Sequence, residues 1–347
     1  MTKHKTVGVI GAGSFGTAIA NLLAENQRVL LYERTADKAA KLRSERKFKG
    51  FEYHPNVQVA ESLQQIAEEC YLLFPVVPSA SFKNMIIDFS PYLRPDHIMI
   101  HATKGLHCEF DIDKVKPEEI RLKDIKTMSE LILQETGIVR VGSLAGPNLA
   151  MEIMEHQPAA TVIASRFDEV VREGIEALKS DRFQVYGNRD ILGIELAGVL
   201  KNYVAIASGM LTGLGYGENA KALLITRGMA EMIYIGKALG ADKKAFLGVA
   251  GIGDLIATCM SNRSRNFTVG MRLAKGEKLN DILADMTEVA EGVRTLKIGK
   301  LIVDHINAPA PLLQMLYKIV FEELDMERAI RFLMRFPVTD DAEYLNL

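Results

Sequence analysis

The chain has 347 residues, 48% of them hydrophobic and 25% charged, and a formal net charge of −2. That length is long for one core and leads to an expectation of two domains. The composition excludes a disordered chain, and the lack of a clustered basic excess excludes a general nucleic-acid binder, though not a small anionic substrate.

Cys70, Cys108 and Cys259 are odd in number and far apart. No disulfide framework and no metal site is expected, and a reducing, cytoplasmic setting fits. Met1–Lys5 runs straight into the apolar Thr6–Ile10, too short for a signal segment, so no export signal is read. The most membrane-like stretch, Ile191–Gly217, is interrupted by Glu195, Lys201 and Asn202, which favours a buried helix over a span.

In chain order, Thr6–Ile10, Arg28–Tyr32, Tyr71–Val77, His97–Ala102 and Ile138–Leu144 read as strands. Phe15–Glu25, Ala36–Glu45, Glu61–Glu68 and Thr127–Glu135 read as helices between them. The alternation predicts a mainly parallel, doubly wound sheet. Pro75 is awkward in a central strand and marks a bulge or an early end. His107–Thr127 holds 11 charged residues in 21 and reads as a solvated surface excursion. From Ile191 onward the pattern is helical: Leu192–Met210, Ala220–Leu239, Phe267–Lys275, Val293–His305 and Pro311–Glu323. The reading is a dinucleotide-binding α/β domain over residues 1–189 and an all-α substrate domain over 190–347.

Four segments carry chemistry. Gly11-Ala12-Gly13-Ser14-Phe15-Gly16 follows a strand and opens a helix, the context a pyrophosphate site requires. Gly11 permits the turn, Gly13 lets the phosphates approach the backbone, and Gly16 lets helix and strand pack. The domain is therefore Rossmann-type. Glu33, at the end of the next strand, suits a ribose 2′-hydroxyl, whereas its neighbour Arg34 suits a 2′-phosphate. NAD and NADP both stay open.

Between Ile191 and Gly217 the only charges are Glu195 and Lys201, about 120° apart on a helix and unable to pair. A lysine desolvated there suits proton transfer, against the alternative of a structural or snorkelling lysine. Asp254, the sole charge between Lys244 and Arg263, is a candidate partner for Lys201, with an N-cap role as the alternative. Ser264-Arg265-Asn266 suits a phosphate dianion, against a solvated loop. Thr103-Lys104-Gly105 and Gly146-Pro147-Asn148 follow strand ends, where open α/β sheets bind ligands.

With these segments assembled, the sequence resembles the NAD(P)-dependent glycerol-3-phosphate dehydrogenase family. The matching pieces are GAGSFGTA, HATKGL, AGPNLAMEI, ELAGVLKNYVAIASG, NAKALLITRGMAEM, GIGDLIATC, SRN and VAEGVRT, spanning about Gly8 to Lys297. The resemblance implies reduction of dihydroxyacetone phosphate to glycerol 3-phosphate for phospholipid synthesis, with Lys201 as proton donor and Asp254 beside it. It implies substrate contacts from Lys104, Gly146, Asn148, Ser264, Arg265 and Asn266. It implies cofactor contacts from Ser14, Phe15, Arg34, Lys104, Ala150, Arg265, Val289 and Glu291. Phe15 keeps the aromatic character of a position where the family often carries Trp or Tyr. The charged stretch after Lys104 looks longer than the usual family form.

The competing readings are a hydroxyacid dehydrogenase of the same build and a non-catalytic dinucleotide sensor. The first would need a carboxylate clamp, and the second has no use for a desolvated acid–base pair. The apolar helices of the second half suit either a homodimer interface or internal core.

Overall fold

The computed structural model describes residues 6–115 and 119–335, the Met334 side chain apart. The chain divides into two compact units, Met1–His107 with Lys126–Glu195, and Cys108–Ile125 with Leu196–Leu347.

The strands of the first unit are β1 (Thr6–Ile10), β2 (Arg28–Tyr32), β3 (Lys47–Phe48), β4 (Phe51–Glu52), β5 (Val57–Val59), β6 (Leu72–Pro75) and β7 (Ile98–His101). A two-stranded ladder, β8 (His107–Cys108) with β9 (Ile125–Lys126), follows, and then β10 (Arg140–Ala145), β11 (Ala159–Ala164) and β12 (Phe183–Asn188). Eight strands form one sheet in the order β12-β11-β10-β7-β6-β1-β2-β5. Only the β10–β11 pair is antiparallel. Strand β6 ends at Pro75, and the next residue's N–H returns to Ile10 O at 2.8 Å. The proline, which has no N–H to give, thus closes the strand instead of interrupting it.

Helices cover both faces. They are α1 (Ser14–Ala24), α2 (Ala36–Glu45), α3 (Leu63–Glu69), α4 (Ser79–Phe89), α5 (Met128–Glu135), α6 (Ala150–Met154) and α7 (Asp168–Leu178). Leu22, Leu23, Ile153 and Val170 fill one side of the sheet, and Ile66, Phe82, Ile86 and Leu131 fill the other. Each such side chain contributes roughly 1.5–3 kcal/mol on burial.

Among the described residues, every element after β12 is helical. These are α8 (Ile191–Gly213), α9 (Glu218–Ala238), α10 (Lys244–Leu247), a π-helical turn at Val249–Gly253, α11 (Asp254–Met260), α12 (Arg265–Ala274), α13 (Leu279–Asp285), α14 (Glu291–Ile306), α15 (Pro311–Phe321) and α16 (Met326–Arg335). Among the described residues α8 alone is long and apolar enough to cross a membrane, and 94% of its apolar window is buried inside the chain. Its apolar surface is core.

The charged excursion keeps most of its described charged side chains exposed, as its solvated reading expects, and is also pinned by apolar contacts. Cys108 and Ile120 are buried, and Asp113 pairs with Lys297 on α14, so the segment is anchored to the second unit. Its charge count conceals those two apolar anchors.

The second unit also buries Glu231 of α9. Its carboxylate accepts from Leu312 N at 2.6 Å and Leu313 N at 3.1 Å, so it serves the open N-terminus of α15, and Tyr203 OH donates to it at 3.4 Å. Desolvation outweighs these donors and the nearby Arg227, and pushes the carboxyl up from 4.5 to about 7. A raised carboxyl binds a proton more tightly folded than unfolded. Its share of stability is therefore full below the unfolded value and lost as pH rises through about 7. Thermal unfolding should show the protein gaining on its Glu231→Gln variant as pH falls from about 8 to about 6. Parallel stability curves would refute that linkage.

Candidate functional site

In the first unit, the glycine turn links β1 to α1. Gly11 has φ +113°, and its N–H donates to Tyr32 O at 2.9 Å. A Cβ on Gly16 would lie 1.8 Å from Gly11 O, so only glycine permits this approach of helix to strand. A Cβ on Gly13 would meet nothing within 4 Å, so open space faces the turn there. The first turn of α1 has no side-chain cap and no acidic residue. Its free N–H groups and positive dipole end suit a diphosphate, and the turn fits a dinucleotide. Ser14 is buried and Phe15 half-buried on the same turn. At the end of β2, the Glu33 carboxylate accepts from Thr35 N at 2.9 Å, and Arg34 is exposed.

Lys104, Gly146 and Asn148 gather beyond the carboxyl ends of the adjacent parallel strands β7 and β10. Lys104 Nζ donates to Gly146 O at 3.0 Å. Asn148 Nδ2 donates to Ala160 O at 2.9 Å, and its Oδ1 accepts from Thr161 Oγ1 at 2.9 Å. Ala150 opens α6 close by in sequence.

Glu195 is not a partner of Lys201. It lies 2.8 Å from His101 Nε2 and accepts from Ser129 N at 3.0 Å, with His101 wholly buried. No sequence pattern points to this link, because histidine and glutamate come from distant elements.

In the second unit, α8 and α11 bring Lys201 and Asp254 together. Lys201 Nζ stands 2.7 Å from Asp254 Oδ1 and 2.5 Å from Thr258 Oγ1. Lys201 is 5% exposed and Asp254 2%, so the pair is screened from water. Thr258 donates its hydroxyl hydrogen to Asp254 O at 2.6 Å, one helical turn back, which leaves its oxygen to accept from the lysine. Asp254 is the first residue of α11 behind a Gly253 N-cap, so it does not cap the helix. The π-helical turn before it is the kind of irregularity that functional sites favour. Burial pushes the neighbouring Cys259 thiol up to about 12, so it stays neutral beside the ammonium.

Thr258 was not legible as a site residue, although its i+4 spacing from Asp254 was a usable signal. Asn202 was also missed. Its Oδ1 accepts from Asn266 Nδ2 at 2.8 Å, while Asn266 Oδ1 accepts from Gly292 N at 2.9 Å. Ser264 caps α12 by accepting from Phe267 N at 3.3 Å. Arg265 donates to Val289 O at 2.9 Å and lies 3.5 Å from Glu288, with about half its side chain exposed. Arg265, Asn266, Val289 and the start of α14 at Glu291 are thus tied together where the N-termini of α12 and α14 meet. That cluster presents a cation and helix N–H groups, the chemistry of a phosphate site.

Two family models match the chain. The N-terminal model of NAD-dependent glycerol-3-phosphate dehydrogenase covers residues 6–171, and the C-terminal model covers 190–331. The chain is 38% identical to a glycerol-3-phosphate dehydrogenase [NAD(P)+] of Pseudomonas aeruginosa, over 99% of its own length and 98% of the relative's. It superposes on the crystal structure of glycerol-3-phosphate dehydrogenase from Coxiella burnetii with a TM-score of 0.85 and 30% identity, covering 95% of this chain and 99% of that one. The corresponding yeast enzyme shares the fold at a TM-score of 0.80 and 22% identity, with 95% and 99% covered.

Proposed function

This chain belongs to the NAD-dependent glycerol-3-phosphate dehydrogenase family, and from that premise we propose how its residues carry the reaction. The family is an oxidoreductase family, and the reaction is the reversible reduction of dihydroxyacetone phosphate to sn-glycerol 3-phosphate with NADH or NADPH.

When bound, the reduced nicotinamide supplies a hydride to C2 of the ketone. Lys201 Nζ gives the proton to the C2 oxygen and takes it back in the oxidative direction. Asp254 favours the ammonium form and offsets its desolvation, and the Thr258 oxygen fixes the direction of one N–H. No further electrophile is required, because the ammonium itself polarises the carbonyl. Arg265 and the N–H groups opening α12 hold the substrate phosphate. Asn266 engages both ends of its amide, donating to Asn202 Oδ1 and accepting from Gly292 N, with one Nδ2 hydrogen left for a substrate oxygen. Lys104, Gly146, Asn148 and Ser264 complete the substrate contacts. Gly11, Gly13, Ser14, Phe15 and Gly16 hold the dinucleotide phosphates, Glu33 and Arg34 its adenosine ribose, and Lys104, Ala150, Arg265, Val289 and Glu291 its remaining contacts.

The observation that carries this reading is the buried Lys201–Asp254–Thr258 cluster, which sets an ammonium, a carboxylate and a hydroxyl in mutual hydrogen-bond reach. Oxidation of NADH and of NADPH is to be followed with dihydroxyacetone phosphate and with unphosphorylated dihydroxyacetone. Turnover is expected with the phosphorylated ketone only. Faster turnover of a phosphate-free hydroxyacid would overturn the substrate assignment. A cytoplasmic location and supply of glycerophospholipid synthesis belong to the same reading. So does a homodimer, for which Ile252, Ile256 and Met260 offer exposed apolar side chains at four-residue spacing.

A further inference from the structure

The hairpin β3–β4 holds none of the site residues read from the sequence, yet its place in the first unit bears on cofactor binding. Its two-residue loop, Lys49–Gly50, has both φ angles positive, 47° for the lysine and 88° for the glycine. That is the primed-turn geometry that closes a short hairpin tightly. The paired residues are Lys47 with Glu52 and Phe48 with Phe51, and both phenylalanines pack against the apolar core.

The hairpin is fixed along one flank of α1. Tyr53 OH and Thr17 Oγ1 are 3.0 Å apart, Asn21 Nδ2 donates to Glu52 O at 3.0 Å, and His54 N donates to Asn21 Oδ1 at 3.0 Å. Thr17 and Asn21 are one helical turn apart on the same face. These ties run the hairpin toward the N-terminal end of α1, where Lys49 Nζ donates to Ser14 Oγ at 3.3 Å. The same ammonium lies 5.5 Å from the centroid of the Phe48 ring, which limits its swing.

We propose that Lys49 is a cofactor-binding residue, carried by the hairpin tip to the Gly13–Ser14 end of α1 to grip the pyrophosphate that NADH and NADPH share. The proposal rests on the family reading, which supplies the dinucleotide. Ser14 is the first residue of α1, directly after the open space at Gly13, and a diphosphate on that turn meets the helix N–H groups. An ammonium beside Ser14 adds a full charge to the partial charge of the helix end. The residues read as adenosine ribose contacts, Glu33 and Arg34, stand at the end of β2 instead. Lys49 therefore strengthens both cofactors equally and leaves the choice between them to Glu33 and Arg34. Because the lysine is exposed, its grip is screened by salt.

The test is equilibrium titration of the full chain, without ketone, using NADH, NADPH, ADP and adenosine against wild type, Lys49→Ala and Lys49→Arg. In Lys49→Ala, Kd is expected to rise about 3–10-fold for NADH, NADPH and ADP alike at low salt, and less at high salt. Adenosine binding should stay unchanged, and Lys49→Arg should restore most of the affinity. Unchanged Kd for both dinucleotides would overturn the proposal. So would a loss confined to NADPH, which would assign the lysine to the 2′-phosphate, or an equal loss for adenosine, which would make its role structural. Wild-type protein that binds neither dinucleotide would overturn the cofactor reading first and the proposal with it.

Discussion

Replacing Lys201 by Ala is expected to lower turnover about 10²–10⁴-fold while the affinity for NADH is unchanged. The lysine is carried by α8 at a position belonging to the second unit, and the glycine turn belongs to the first, so removing the amine leaves the dinucleotide contacts in place. In the proposed mechanism, what is lost is the proton that meets the C2 oxygen as negative charge develops there. Water cannot easily replace it, because the surrounding side chains leave Lys201 only 5% exposed. Arginine is not expected to rescue activity. A guanidinium stays protonated and is too broad for a space shaped around a single Nζ between Asp254 and Thr258. Steady-state kinetics together with a separate NADH titration decide the matter. Near-normal turnover in Lys201→Ala would remove the lysine from the mechanism, and lost NADH affinity would mean that the substitution had damaged more than the acid–base group.

The residues differ in how far the sequence alone exposes their role. Lys201 and Asp254 stand out because one is among two charges and the other the sole charge of a long apolar stretch, where an unpaired ion is costly and a partner is demanded. Thr258 gives no such signal, since a hydroxyl costs little to bury once it bonds back to the helix at Asp254 O. Helix α11 is itself hidden, because it emerges from Gly248, Gly251 and Gly253, which have poor helix propensity. Packing overrides propensity there: a Cβ on Gly251 would lie 1.9 Å from Phe246 O. In the first unit, strands β1, β2, β6, β7 and β10 are legible as apolar runs. Strands β11 and β12 are not, for different reasons. β11 reads Ala-Ala-Thr-Val-Ile-Ala and pairs antiparallel with β10, breaking the parallel rhythm, and β12 is an edge strand with Tyr186 exposed. The β3–β4 hairpin is masked by its charges. Its turn depends on a lysine at positive φ, a conformation that sequence preference assigns to Asn or Gly.

Asp254→Ala is expected to destabilise the fold by about 3–5 kcal/mol and to abolish most turnover, because it leaves the Lys201 ammonium buried without its anion. The lysine then has two options, and both harm the reaction. It can stay charged at the cost of desolvation, or it can lose its proton and have nothing to donate to the C2 oxygen. Thr258 does not substitute for the carboxylate, since its hydroxyl offers the ammonium a dipole and no charge. Stability and activity separate in the double variant Lys201→Met with Asp254→Leu. Two apolar side chains of similar reach remove both buried charges together, so most of the lost stability should return, whereas turnover should not. Chemical denaturation of the two single variants and the double variant, with kinetics on each, closes the cycle. If the double variant were no more stable than Asp254→Ala, the buried charge would not be the cause of the loss. If Asp254→Ala kept its turnover, the carboxylate would have no part in holding the proton that Lys201 gives.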